Sequence, residues 1–328
     1  MLVDILNRQA AAGHRVALFI VNDQVNETLL QQLDGQVQVV RLGRKQGGRN
    51  PMPLLRLNRA LVRFAAHVIH AHNHKAVRLL LPPLRRKALL TLHTTQVPVE
   101  HLKQYARLYA ISEAVQIDVH NRSGLLPHVI YNGVDLDAIA VKTKVSQGPV
   151  FRMVQVGRLD HEVKGQHILL EALKQLKDEG LQHIRLDLIG EGASTPFLLQ
   201  LRESLGLVEE VRFLGTRDRK YIYGHLRDYD LLVQPSFVEG FGLTIVEAVG
   251  AGVPVVVSSI EGPMELIGKG DYGYYFKTGD SRDLARVIKE RVQGPADTAV
   301  QAAALDHVRK HFHIAQTVQN YLAQYSTL

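Results

Sequence analysis

The stretch Leu231–Ser258, LLVQPSFVEGFGLTIVEAVGAGVPVVVS, decides the fold. It opens on an apolar run of strand length, Asp230 to Gln234, ended by Pro235-Ser236. Leu243 to Val249 reads as a helix, and the β-branched run Val253 to Ser258 reads as the next strand. Strand, helix and strand in that order belong to a parallel sheet. Between the first strand and the helix lies EGFGLTIVE, Glu239 to Glu247, with seven residues separating the two carboxylates. A loop that opens a helix aims free N–H groups forward, and the helix dipole favours an anion there. Gly240 and Gly242 let a bulky anion approach the backbone, and the flanking carboxylates accept hydrogen bonds from hydroxyls. This pattern suits a sugar nucleotide, with diphosphate in the middle and the sugar and ribose at either end.

The same alternation runs outward in both directions. Strands are expected at Val16–Val21, Val37–Arg41, Val68–Ala71, Leu89–His93, Leu108–Ile111 and His128–Tyr131. The second half offers Phe151–Val156, Ile184–Ile189, Val211–Leu214, Asp230–Gln234, Val253–Ser258 and Gly273–Phe276. Short apolar strands separated by amphipathic helices imply parallel sheets covered on both faces. The expected fold is therefore α/β, with two doubly wound, Rossmann-like domains facing across a cleft. Residues 1–142 form the first domain and 149–312 the second. Residues 313–328 form a terminal helix that packs back toward the first. Ala140–Pro149 loses apolar periodicity and reads as a linker. The opening, from Leu2 to about Gly13, reads as a helix with no strand before it. The first strand of a doubly wound sheet is central, so a gap in the first sheet is expected.

With 328 residues the chain can build two cores. It has no cysteine, which excludes disulfides and thiolate metal sites and fits a reducing compartment. No apolar run is long enough for a membrane span, and the N-terminus lacks the pattern of a secretory signal. A cytoplasmic protein is expected, peripheral at the inner face of a membrane. The net charge of +7 divides into +10 over residues 1–148 and −3 over the remainder. The basic stretch comprises Arg41, Arg44, Lys45 and Arg49, then Arg56, Arg59 and Arg63 on one face of a helix from Pro53 to Ala65. No aromatic side chain interleaves with these arginines, so nucleic acid is not expected. A solvated helix face is the plain reading, and an anionic membrane surface is the better partner.

VGRLDHEVKG, Val156 to Gly165, places Arg158 and Lys164 between a strand end and a helix start. One is a planar fork and the other a mobile point charge, so together they could clamp a diphosphate. Gly190 and Gly192 follow another strand as a turn near the nucleotide. Thr195 stands where a dinucleotide fingerprint has its third glycine. His93 ends its strand in LTLHTT, a cleft position. His70, His72 and His74 alternate and would share a face if their strand continues, but no carboxylate joins them. Asp228-Tyr229-Asp230 is a weak metal clip, with Asp230 read as a strand start. No metal is expected. P-loop and nucleophile-elbow patterns are absent.

Taken in order, these segments resemble the retaining glycosyl transferases group 1 of the GT-B fold. The likeness covers nearly the whole chain. It is strongest through VGRL…KG, LIGEG, VRFLG and the opening stretch, and weaker through VIHAHN, LTLHTT, AISEAV and VIYNGVDL. The resemblance implies that Arg158 and Lys164 bind the donor diphosphate. It gives Glu239 to sugar hydroxyls, and the amides of Phe241, Gly242 and Leu243 to phosphate and sugar. Glu247 would hold the ribose, and His93 would line the cleft beside the transferred sugar. It implies no cofactor or metal, a UDP- or GDP-linked sugar as co-substrate, and a glycan or lipid-linked saccharide acceptor in envelope polysaccharide synthesis. Members begin with a strand and a glycine-rich loop, both of which this chain is expected to lack. The competing readings are a catalytically impaired nucleotide-sugar-binding partner subunit and a sugar-nucleotide epimerase of the same fold.

Overall fold

Among the described residues twelve strands form, all parallel to their neighbours, and each lies within three residues of its expected ends. The computed structural model describes residues 1–45, 50–143 and 148–327. Arg49 and residues 144–147 of the expected linker lie outside the described residues. The chain divides into two units, Met1–Gly133 with Ile314–Leu328, and Val134–His313.

In the first unit, β1 (Ala17–Asn22) pairs with β2 (Gln38–Arg44). A separate sheet holds β3 (Ile69–Ala71), β4 (Ala88–Leu92), β5 (Arg107–Ala110) and β6 (His128–Val129) in that order. Among the described residues β1 pairs only with β2, and β3 only with β4, so the expected interruption lies between β1 and β3. The helix Leu2–Ala11 serves both sheets. Its Ile5 joins Leu89 and Tyr109, while its Ala10 joins Val16 and Val37. The helix Ile314–Tyr325 adds Ile314, Val318 and Tyr321 to the first of those clusters.

The second unit contains β7 (Phe151–Val156), β8 (Ile184–Ile189), β9 (Val211–Gly215), β10 (Leu231–Gln234), β11 (Val255–Ser258) and β12 (Tyr274–Phe276). Their order is β12-β11-β10-β7-β8-β9. β10 and β11 are buried throughout, as strands with helices on both faces must be. Met153, Leu186, Leu188, Leu231, Val233 and Val256 form the sheet's part of the core, and Leu169, Leu173 and Ile288 cover it from helices. Strand order reverses between β7 and β10. A crevice therefore opens beyond the carboxyl ends of these two strands, where the connections leave in opposite directions.

The first unit ends nine residues before the expected boundary at 142. Residues 134–142 go with the second unit because their backbone and side chains bond there. Ala140 N–H donates to the Tyr223 carbonyl and Lys142 N–H to that of Ala251. Lys142 Nζ pairs with Asp230 at 2.7 Å. Asp230 also accepts the Arg152 N–H at 2.9 Å, so it pins a strand start rather than forming a metal clip with Asp228.

Candidate functional site

The crevice is built by two loops. The first leaves β7 at Gly157 and ends at Gly165, which holds φ at +65°. The second leaves β10 at Pro235 and enters the helix Leu243–Gly250 through Gly242, at φ +105°. Phe237 N–H donates to the Val163 carbonyl at 2.9 Å and ties the loops together. The helix stops where Gly252 takes φ +75° and the Gly252 and Val253 amides close back on Val249 and Ala248. That is a Schellman stop, with Pro254 beyond it.

Across these loops Lys164 Nζ meets Glu239 Oε2 at 2.6 Å, with the two side chains 19% and 17% exposed. The pair unites a cation from the first loop with a carboxylate from the second. Gln234, at the end of β10, donates to Ser236 Oγ at 2.9 Å and lies 3.5 Å from Glu239 Oε2. Thr244 Oγ1 donates to Gln234 Oε1 at 3.4 Å. A buried line of polar groups thus holds the Glu239 carboxylate in place. Sequence reasoning missed Gln234, although a glutamine closing the otherwise apolar LLVQ was a visible signal.

Arg158 reaches Asp160 at 2.9 Å, its side chain 65% exposed. An exposed arginine on one carboxylate is free to swing onto a stronger anion. Its carbonyl is held by Gln166 Nε2 at 3.0 Å. Gly242 and Leu243 make no hydrogen bond through their amides among the described residues, leaving two donors at the helix start. Phe241 is 2% exposed and packs edge-on against Phe312, with ring centroids 5.6 Å apart. Its ring is therefore an anchor for the loop.

Gly190 and Gly192 lie against the same β7 loop. A Cβ on Gly190 would overlap the Gly157 carbonyl, and one on Gly192 the Leu159 carbonyl. Both glycines are spacers between backbones, consistent with the turn reading. Thr195 caps Gly192 through its hydroxyl at 2.9 Å.

Glu247 sits within the helix, and its pKa is raised to about 7, mainly by burial, against a smaller opposing pull from Arg219. Below pH ~4.5 it is neutral in both the folded and unfolded chain. Between there and about pH 7 the unfolded chain ionises while the folded one keeps its proton. Stability from this group therefore falls as pH rises through the window, then levels off. Glu247→Gln should flatten the slope and, at pH 8, exceed the wild-type stability of the ligand-free protein by up to about 3 kcal/mol. Urea titrations at several pH values measure this, and an unchanged slope would refute it.

His93 belongs to the other unit, just past β4. Its Nε2 bonds His72 Nδ1 at 2.9 Å. Burial lowers the pKa of His93. That of His72 falls to about 4 through burial and then His93. The strand ends at Ala71, yet the His70 and His72 rings stack with centroids 4.8 Å apart, and His72 stacks on His93 at 5.1 Å. His70 uses both ring nitrogens, on Tyr325 at 2.5 Å and Thr91 at 2.7 Å, which leaves neither lone pair for a metal. Among the described residues one other group, Asp135, Asp137 and His313, brings possible ligands together. Asp137 there is 83% exposed and pairs with His313 as a surface ion pair.

The family model "Glycosyl transferases group 1" matches residues 141–304, and "Glycosyltransferase Family 4" matches residues 1–138. The chain belongs to the glycosyl transferases group 1 family. A lipopolysaccharide core biosynthesis mannosyltransferase, LpcC of Rhizobium leguminosarum bv. viciae, is 31% identical over 84% of this chain and 82% of its own. The phosphatidyl-myo-inositol mannosyltransferase of Mycobacterium leprae is 33% identical over 48% of this chain, and the match spans 42% of that protein. The D-inositol 3-phosphate glycosyltransferase of Mycolicibacterium smegmatis is 31% identical over 64%, spanning 49% of that protein. The chain thus matches less than half the length of these two mycobacterial relatives.

Among solved structures, Anabaena HepE in complex with UDP superposes with a TM-score of 0.84 at 25% identity, covering 100% of this chain and 95% of that one. The same protein with UDP and glucose gives 0.80 at 26% identity, with the same coverage. The fold of this group 1 glycosyltransferase is accordingly GT-B, with two Rossmann-like domains.

Proposed function

We propose that this chain transfers a sugar from a nucleotide-diphosphate donor to a hydroxyl of a glycan or lipid-linked saccharide, retaining anomeric configuration, in envelope polysaccharide synthesis. The observation that carries the reading is the Lys164–Glu239 pair at the switch point, beside the open start of the helix Leu243–Gly250. The complexes of HepE with UDP and UDP-glucose, and the LpcC name, support a nucleotide-sugar donor and an envelope acceptor.

In this reading Lys164 and Arg158 receive the diphosphate, and Lys164 gives up part of its bond to Glu239 as the anion arrives. The Gly242 and Leu243 amides add two donors along the helix dipole. Glu239 turns its freed oxygen to sugar hydroxyls, and Glu247 accepts from the ribose. The bond from the anomeric carbon to the phosphate oxygen breaks first, and negative charge grows on the leaving diphosphate. Cations and amides fixed in advance stabilise that charge most at the transition state. The departing phosphate oxygen takes the acceptor proton on the face where the new glycosidic bond forms, so no enzymic nucleophile is needed. His93 stays neutral near pH 7 and offers a hydrogen bond rather than a charge to the transferred sugar. No step calls on a metal.

Calorimetric titration with UDP and GDP tests the donor site. One nucleotide should bind, and both Lys164→Ala and Glu247→Ala should weaken it about tenfold or more. Failure of both nucleotides to bind, or unchanged affinity in both variants, would overturn the assignment.

A further inference from the structure

Two histidines of the first unit, His72 just past β3 and His93 just past β4, meet through one ring nitrogen each. β3 and β4 are parallel neighbours, so both histidines stand at the carboxyl end of that sheet. His72 Nδ1 and His93 Nε2 lie 2.9 Å apart, with the ring planes 30° from parallel. The His72 ring also stacks on His70, which is fixed in turn by Thr91 and by Tyr325 of the terminal helix.

Two neutral imidazoles at this distance hold one proton between them. Both rings are neutral at neutral pH, because burial lowers the pKa of each. A neutral imidazole has one N–H and one bare nitrogen, so the proton's place in the contact fixes the outer nitrogens as well. If the proton sits on His72 Nδ1, His93 carries its own on Nδ1, and both rings are Nδ1–H tautomers. If it sits on His93 Nε2, both rings are Nε2–H tautomers. Neither His93 Nδ1 nor His72 Nε2 has a partner among the described residues, so no other protein contact biases the choice. The rings' own chemistry then decides. The nitrogen nearer the electron-withdrawing backbone is the less basic, so the proton prefers Nε2. Only the second arrangement gives both rings that tautomer.

We propose that His72 is a positioning residue for His93: it accepts the His93 Nε2–H, leaves His93 Nδ1 bare, and so makes His93 a hydrogen-bond acceptor for a sugar hydroxyl. The tautomer follows from the first unit alone. The role at the sugar rests on the donor reading above, in which His93 meets the transferred sugar. An acceptor at this point selects a ligand group that carries a hydrogen, a hydroxyl rather than a fluorine or an ether oxygen. It also explains why a second histidine stands behind the first: without it, His93 is free to turn its ring and to exchange tautomers.

The test is isotope-edited NMR of the histidine ring nitrogens in the full chain at neutral pH, read beside hydrolysis of UDP-glucose and GDP-mannose without acceptor. In the wild type, His93 should show a protonated Nε2 and a bare Nδ1. His72→Phe keeps an aromatic ring beside His70 but has no acceptor. It should move both His93 nitrogens to shifts between the two limits, the sign of mixed tautomers, and lower hydrolysis about fivefold. His72→Asn puts an acceptor oxygen near the place of Nδ1 and should return both readings toward the wild type. Three results would overturn the proposal. One is a protonated Nδ1 on His93 in the wild type. Another is an unchanged His93 tautomer in His72→Phe. The last is hydrolysis that falls equally in His72→Asn and His72→Phe, the pattern of a purely structural residue. Wild-type protein that hydrolyses neither nucleotide sugar while showing the stated tautomers would count against the donor reading instead.

Discussion

Lys164→Ala will lower kcat about 100-fold or more, with a smaller effect on donor affinity. Lys164 is fixed more firmly than Arg158, held at 2.6 Å on Glu239 by loops tied to two different strands. A charge fixed before the reaction is worth most where the substrate's charge grows, here on the leaving diphosphate. Arg158→Ala should act in the same direction, because among the described residues its exposed guanidinium is committed only to Asp160. Removing Lys164 leaves the largely buried Glu239 carboxylate without its cation, so some stability is lost as well, and urea midpoints are read beside the kinetics. Nucleotide release from the donor without acceptor can be followed while the acceptor is being sought. Undiminished turnover in both variants would eliminate the assignment of these two cations.

Gly165→Ala will destabilise the second unit by about 3 kcal/mol, combining left-handed backbone strain with overpacking. Gly165 has φ +65°, and a Cβ there would overlap the Pro235 carbonyl oxygen. The atom it strikes is backbone, and it belongs to the loop that carries Glu239. One of the two loops must move, so donor binding should weaken along with stability. Gly180→Ala is the control: it also has positive φ, at +91°, but nothing lies within 4 Å of its added Cβ. It should cost about 1 kcal/mol. Equal shifts in urea midpoint for the two variants would show that the contact with Pro235 imposes no constraint.

Most of this architecture could be read locally. β10 is a short apolar run and β11 a β-branched one, each bounded by Pro and Ser, and such runs have few alternatives inside an α/β protein. The sequence placed Gly242 and Gly165 at helix starts, and both hold positive φ there. What the sequence left open involved partners far along the chain. His70, His72 and His74 alternate in sequence, yet their fates depend on Thr91, His93 and Tyr325, as many as 255 residues away. Residues 134–142 resembled the end of the first domain, but their hydrogen bonds go to Tyr223 and Ala251.

By itself the sequence determined the alternation of strands and helices, the fold class and the two loops after β7 and β10, because periodicity, turn glycines and capping act over a few residues. Only the tertiary structure decided three further things. It set Lys164 on Glu239 across the β7–β10 switch point and raised the pKa of Glu247 by burial. It also joined His72 to His93, whose Nδ1 has no partner among the described residues. Each of these depends on which distant segments meet and which are left without a neighbour, and burial and charge pairing are properties of that packing.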